Sequence, residues 1–334
     1  MSVAFSRRFS VAPMMDCTDR HARYFLRLLS KHALLYTEMI TTGALLHGDA
    51  KRHLRFDDAE HPVAIQLGGA DPAEMATCAR LAAGEGYDEI NINVGCPSDR
   101  VQSGRFGACL MAEPQVVADC VAAMRAVVNI PVTVKTRIGI DRDESTDLLY
   151  AIVAACRQAG CTTFIIHARK AWLDGLSPKE NRELPPLRYG VVHQLKRDYP
   201  SLEIIMNGGI VTIEACREAL LHVDGVMLGR EAYHSPYLLA RVDSELYGDP
   251  APPCTREAVI ERFTAYIDRE RSLGTPLSAM TRHVLGLYQG MPGARLWRRV
   301  LSEQVRRPGI GSEIFSEALR AMRDAAPRRD TVTS

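Results

Sequence analysis

Residues Asn91–Met111 read NINVGCPSDRVQSGRFGACLM. The short apolar alternation Glu89–Val94 (EININV) stops at Gly95-Cys96-Pro97 and gives way to a polar loop punctuated by glycines. A cysteine serving as a small core residue belongs inside the apolar pattern, whereas Cys96 stands where a strand ends and a loop begins. What that position means depends on the sheet to which the strand belongs.

Seven further runs have the same strand character: Ser10–Met15, Leu34–Ile40, Val63–Leu67, Val132–Arg137, Thr163–His167, Glu203–Asn207 and Gly225–Leu228. Helical patterns over Asp19–Ser30, Pro72–Ala83, Pro114–Val127 and Thr146–Ala159 lie between them, with Gly84 and Gly160 as the expected helix ends. Near-continuous apolar strands alternating with helices indicate a parallel sheet, and eight such units predict an α/β fold closed as a (β/α)8 TIM barrel. An open doubly wound sheet competes, but no GxGxxG or GxxxxGK[ST] follows any strand.

The barrel is expected over residues 1–242 and a linker with Pro250, Pro252 and Pro253 over 243–254. A small C-terminal helical bundle follows over 255–326, with helices at Thr255–Leu273, Ala294–Val305 and Ser312–Ala325, and an unstructured tail over 327–334. In the second of these helices Trp297, Val300 and Leu301 face inward, while Arg295, Arg298, Arg299 and Ser302 face outward.

A chain of 334 residues with 46% hydrophobic and 24% charged residues has the composition of an ordinary globular protein, and no apolar run reaches the roughly 18 residues a membrane span needs. The opening Met1–Ser10 carries Arg7 and Arg8 without an apolar segment, so no secretory signal is expected. Nine scattered cysteines without a CxxC pair suggest neither a disulfide framework nor a metal site, and fit a reducing cytoplasm. The net charge of +1 hides a local basic cluster, Arg282, Arg295, Arg298, Arg299, Arg306 and Arg307, faced only by Glu303. Such a cluster is either a solvated helix face or a polyanion surface.

Barrel enzymes carry their chemistry where strands end. The residues there are Met14-Met15 with Glu38, Gln66, Asn91, Asn93, Lys135, Arg137 and His167, followed by Asn207-Gly208-Gly209 and Gly229-Arg230. Any one of them alone reads as a satisfied buried group. The glycine-bearing ends of the last two strands are where barrels bind phosphate, through bare N–H groups and an arginine. With phosphate held there, Gln66, Lys135 and His167 line a flat heteroaromatic ring, and a lysine beside a flavin stabilises its reduced anion. Lys135 as a Schiff-base lysine is the alternative, and spacing does not separate the two.

These residues resemble the tRNA-dihydrouridine synthase family. The motifs that carry the resemblance are Ala12-Pro13-Met14-Met15-Asp16 with Thr18-Asp19, Thr37-Glu38-Met39, and NVGCPSDRVQSGRFGACLM. They continue in VTVKTRIGID, HARKAWLDGLSPKENRELPPL, NGGI, MLGREAYHSPYL and, near the C-terminus, GARLWRRVLSE. The resemblance spans nearly the whole chain. It implies an FMN-dependent, NADPH-driven reduction of uridine to 5,6-dihydrouridine in the D-loop of tRNA, at positions 20 and 20a; no metal and no membrane are expected, and nothing in the sequence points to a protein partner. Position by position it implies FMN contacts at Pro13, Met14, Met15, Gln66, Lys135, His167, Asn207, Gly208, Gly209, Gly229 and Arg230. It makes Cys96 the catalytic proton donor, and it implies tRNA contacts at Asn93, Lys179, Arg182, Arg295, Arg298, Arg299 and Ser302.

That chemistry gives Cys96 a purpose. Reduction at C6 of uracil leaves an enolate whose C5 needs a proton, and a cysteine thiol, ordinarily titrating near pKa ~8.5, still holds one near neutral pH. Cys109, within Ala108-Cys109-Leu110-Met111, reads as a small buried hydrophobe. Two rivals remain: a flavin barrel that reduces a free pyrimidine or other small molecule, which leaves the basic bundle unexplained, and a tRNA binder without turnover, which leaves the rim idle.

Overall fold

The computed structural model describes residues 5–98, 101, 104–141 and 145–324. The expected tail over 327–334 lies outside the described residues, as do Asp99, Arg100, Gln102 and Ser103.

Eight strands, β1 (Phe9–Val11), β2 (Leu34–Thr41), β3 (Val63–Gly68), β4 (Glu89–Val94), β5 (Val132–Arg137), β6 (Thr163–His167), β7 (Glu203–Asn207) and β8 (Gly225–Leu228), pair in sequence order, and β8 closes on β1. All the pairings are parallel. Alternation along each strand sorts the side chains into two layers. Ile90, Ile92 and Val94 of β4 join the outer core beneath the helices, while a small inner cluster of Ala12, Leu34, Tyr36, Ala64, Ile165, Ile205 and Met227 fills the barrel. Glu89, Asn91 and Asn93 fall on the alternate positions of β4 and bond to inward groups of neighbouring strands.

Three details differ from the sequence reading. Strand β1 ends at Val11 instead of Met15, because Pro13 has no N–H and residues 14–18 form a turn in which Thr18 Oγ1 accepts from Met14 N at 3.0 Å. Gly84 lies inside the helix Pro72–Glu85, and the chain leaves that helix at Gly86, whose φ of 105° suits a residue without Cβ. The boundary segment over 243–254 begins within a helix, Val242–Leu246, since Asp243 accepts from Ser30 Oγ and Lys31 N and fastens it to the barrel.

Beyond the barrel the main helices are Arg256–Ser272, Ala294–Glu303 and Ile314–Asp324. Trp297 is fully buried among them, with its indole N–H on the Val284 carbonyl at 2.9 Å. The helix Arg256–Ser272 docks on the barrel helix Arg20–Leu29: Tyr266 stacks on Tyr24 at 3.9 Å, and Glu270 receives Arg20 at 2.7 Å and Arg55 at 3.1 Å. Arg282, read from sequence as part of the basic cluster, is engaged with Asp19 at 2.6 Å.

Candidate active site

The C-terminal ends of β3 to β8 assemble one polar rim. Register places Asn93 opposite Lys135, and aligns Arg137, His167 and Asn207 across three adjacent strands. Gln66 is fully enclosed; its Nε2 donates to Asn91 Oδ1 at 2.8 Å, and its Oε1 accepts from Asn93 Nδ2 at 2.8 Å. Asn93 Oδ1 in turn accepts from the backbone N–H groups of Gly95 and Cys96, at 3.1 and 3.0 Å. Asn93, expected to touch tRNA, thus spends its carbonyl oxygen on holding the loop that carries Cys96.

This chain of amides continues downward. Asn91 Nδ2 donates to Thr133 Oγ1, which donates to Glu89, itself held by Tyr36 and Arg7. Strand alternation turns these polar residues inward, so each buried group needs a partner and finds one on a neighbouring strand.

Cys96 is half-buried, with Ser98 Oγ 3.5 Å from its sulfur. Cys109 is also half-buried, because its thiol turns onto the Phe106 carbonyl at 3.1 Å instead of entering the core. Lys135 stands at the end of β5 with Nζ donating to Asn207 Oδ1 at 3.2 Å, and the Asn207 amide is oriented by its own bond to the Met227 carbonyl at 2.7 Å. Loss of hydration pulls the Lys135 ammonium down to about 7, with the Arg137 charge adding to the effect and Cys96 near enough to oppose it. His167 is pushed well below the usual imidazole range, first by burial and then by Arg137 and Lys135, so its ring is neutral.

The glycines after β7 are structural necessities. Gly208 and Gly209 have φ of 110° and 72°, and a Cβ on Gly208 would lie 2.5 Å from the His167 ring. Gly229 differs, since a Cβ there would meet nothing nearer than Met14 Sδ at 3.7 Å; its bareness leaves space beside the Pro13–Met15 turn. Pro13 and Met14 are half-buried and Met15 is exposed. Arg230, expected to meet phosphate, is exposed and paired with Glu183 at 2.6 Å, so an anion there must compete with or displace a carboxylate.

Two rim residues without an assigned role in the sequence reading stand out. Glu38, at the register irregularity between Tyr36 and Met39 of β2, is held above the usual carboxylate range by burial and by the nearby Asp19, and its Oε1 has no hydrogen-bond partner among the described residues. Arg137 is 4% exposed and donates to three backbone carbonyls, yet no carboxylate among the described residues pairs with it. An unpaired acceptor and two underpaired cations at one rim suit a flat ligand that presents both N–H and C=O groups. A cavity of about 430 Å³, lined by Thr41, Gly43, Gly68, Asp71 and Phe106 among others, adjoins this rim between β2 and β3.

Lys179 and Arg182 are exposed on the long connection after β6, whose backbone is organised by the buried Asn181 through Trp172 and Leu176. On the helix Ala294–Glu303, Arg295, Arg299 and Ser302 are exposed, and the half-buried Arg298 donates from its guanidinium to Gln289 Oε1. None of the three arginines has an ionic partner among the described residues, unlike Arg20, Arg55, Arg269 and Arg282, which tie the helical region to the barrel.

A family model for dihydrouridine synthase matches residues 10–323. The chain is 61% identical over 316 residues to the tRNA-dihydrouridine(20/20a) synthase of Pseudomonas aeruginosa, with 95% of each chain covered. It is 58% identical over 323 residues to the enzyme of that name from Escherichia coli K12, covering 96% of this chain and 93% of the other. Among solved structures, a 2-naphthoyl-CoA reductase complex shares the barrel fold, with a TM-score of 0.54 and 11% identity over 73% of this chain and 50% of that one. With a family match of that extent and relatives of that identity, the chain belongs to the dihydrouridine synthase family.

Proposed function

We infer that this dihydrouridine synthase reduces uridine to 5,6-dihydrouridine at positions 20 and 20a of tRNA, the positions named for its relatives. Family membership makes it flavin-dependent, and our reading is that the flavin is FMN, reduced by NADPH. The observation that carries this reading is the joining of Cys96 and Lys135 at one rim: Asn93 fixes the amide of Cys96 and pairs across the sheet with Lys135.

The residues fit FMN. Gly208 and Gly209 leave backbone beside His167 free of side chain, Gly229 keeps the neighbouring turn open, and Arg230 supplies a cation for one terminal phosphate. When bound, the flavin would supply a hydride, two electrons with one proton, to C6 of uracil. Lys135, with Asn207 as its only hydrogen-bond partner among the described residues, offers a proton and a charge to an anionic ring edge. Cys96 holds the proton destined for C5 on a loop whose amides are fixed by Asn93. Pro13, Met14, Met15 and Gln66 complete the flavin surroundings in this proposal.

The helical region over 255–326 is proposed as the tRNA-binding domain, joined through 243–254 to a catalytic barrel over 1–242. Arg295, Arg298, Arg299 and Ser302, with no ion pair to these arginines among the described residues, present an outward face to a polyanion, and Lys179, Arg182 and Asn93 lie nearer the base that leaves its stack. No described helix is long and apolar enough to cross a membrane, and the nine cysteines are unpaired; we place the enzyme in the cytoplasm.

The test is to reduce the enzyme with NADPH under anaerobic conditions and mix it with unmodified tRNA or with free uridine. Flavin oxidation by tRNA alone, with dihydrouridine mapped to positions 20 and 20a, is expected. Equal oxidation by free uridine would favour a small-molecule reductase. Mass analysis of the released cofactor is expected to give FMN, and FAD would overturn that assignment.

A further inference from the structure

Arg137 is the least expected charge in the molecule. It is 4% exposed, carries no carboxylate partner among the described residues, and is nonetheless held by three hydrogen bonds. Removing a guanidinium from water without an acid to face it is costly, and natural chains keep such a group only where its donors are fully used or its charge has work to do. Each of its hydrogen bonds among the described residues goes to a backbone carbonyl, and the choice of carbonyls is informative.

Nε donates to Gly95 O at 2.9 Å, the carbonyl immediately before Cys96. Nη1 donates to Asn181 O at 2.9 Å, the carbonyl immediately before Arg182, and to Lys170 O at 3.0 Å in the same connection. Gly95 is also packed on the stem of this side chain: a Cβ there would lie 3.4 Å from Arg137 Cγ. The connection it grips is internally braced, with Asn181 fully buried and its amide bonded to Trp172 and Leu176. One rigid fork therefore fastens two loops that lie far apart in sequence, each at the residue preceding a functional side chain.

We propose that Arg137 is a positioning residue of the reduction, a bracket that fixes the Cys96 loop and the Lys170–Arg182 connection in one mutual geometry, so that proton donor and tRNA-facing arginine meet the same base. This deepens the proposed function and rests on Cys96 as the proton donor. Geometry favours arginine over lysine here, because a planar guanidinium directs separate donors to carbonyls in different directions while an ammonium is a single point. Thr136 and Lys135, its neighbours in β5, bond elsewhere, to Val94 O and Asn207, so neither duplicates the bracket.

The experiment uses the full-length, flavin-loaded protein carrying R137K or R137M, with C96A alongside. Hydrogen exchange is followed in peptides covering residues 94–98 and 170–183, and tRNA-driven flavin reoxidation is followed by stopped flow. Exchange is expected to rise about tenfold in both peptides together in each variant, as expected for loss of shared hydrogen bonds. Reoxidation by tRNA is expected to slow roughly tenfold or more, since small misplacements of reacting groups are that costly. Faster exchange in only one loop, or throughout the barrel strands, overturns the bracket. So does R137K behaving as the parent while R137M does not, which would make charge alone the requirement. If R137M fails to fold, R137K decides. If C96A reoxidises at the parental rate, the proton-donor reading fails, and the exchange data alone judge the bracket.

Discussion

The two ends of the barrel treat buried cations in opposite ways. At the floor, Arg7 lies between Glu89 at 2.5 Å and Glu203 at 2.9 Å, and its guanidinium is pushed up by both carboxylates. At the rim, Arg137 is lowered to about 10 and Lys135 to about 7, chiefly by burial, with no carboxylate among the described residues to compensate either. Thr133, Asn91, Gln66 and Asn93 form a continuous hydrogen-bonded ladder between the two ends. The contrast teaches where stability was sacrificed: charge at the floor is neutralised for folding, and charge at the rim is left for a ligand to neutralise.

The largest expected effect sharpens the rim side. Cys96→Ala should slow tRNA-driven flavin reoxidation by roughly 10²- to 10⁴-fold, the range for loss of a general acid, in rapid-mixing absorbance traces. An unchanged rate would remove Cys96 as the acid. Breaking the floor should instead cost stability. Glu89→Ala leaves Arg7 with Glu203 alone and deprives Tyr36 and Thr133 of their acceptor, so denaturant unfolding should report a loss of roughly 2–6 kcal/mol, about 1–3 for each stranded buried donor. Lys135→Met should show no such loss, because it removes a cation the fold does not compensate.

A pH series separates the ends further. Lys135 is charged below about 7 in the flavin-free protein, and its depressed value disfavours folding increasingly as pH falls from the ordinary lysine range toward 7. A flavin that prefers the charged lysine should bind with proton uptake above pH 7, and its affinity should fall by up to about tenfold per pH unit as pH rises. Titration calorimetry of apoprotein with FMN checks this, and Lys135→Met should abolish the dependence. The smallest effect concerns the helical region. Replacing Arg295, Arg298 and Arg299 by alanine should reduce the log–log salt slope of tRNA binding by roughly 0.7–0.9 per lost contact, without lowering the melting temperature. Unchanged binding with a lower melting temperature would mean that these arginines brace the domain, as Arg282 does through Asp19.

Sequence by itself determined the barrel. Apolar period-2 runs alternating with capped helices are local signals, and eight of them in succession leave few ways to bury both faces of a parallel sheet. It also determined that strand ends carry unusual polar residues, because a side chain's facing follows from its parity along a strand. What it did not determine is which of those groups are spent and which are available. Asn93 is committed in part to the Cys96 loop, Arg230 is shared with Glu183, Glu38 is left without a partner on Oε1, and Arg282 is withdrawn from the basic cluster to hold Asp19. The pairings of Arg230 and Arg282 are with residues 47 and 263 positions away in the chain. The role of Arg137 is of the same kind, since a guanidinium that grips Gly95 and Asn181 exists as a bracket only once β5 stands between the loops that follow β4 and β6. Periodicity is written into neighbouring residues, whereas hydrogen-bond partnership across a closed sheet is decided only when closure brings the strands into register.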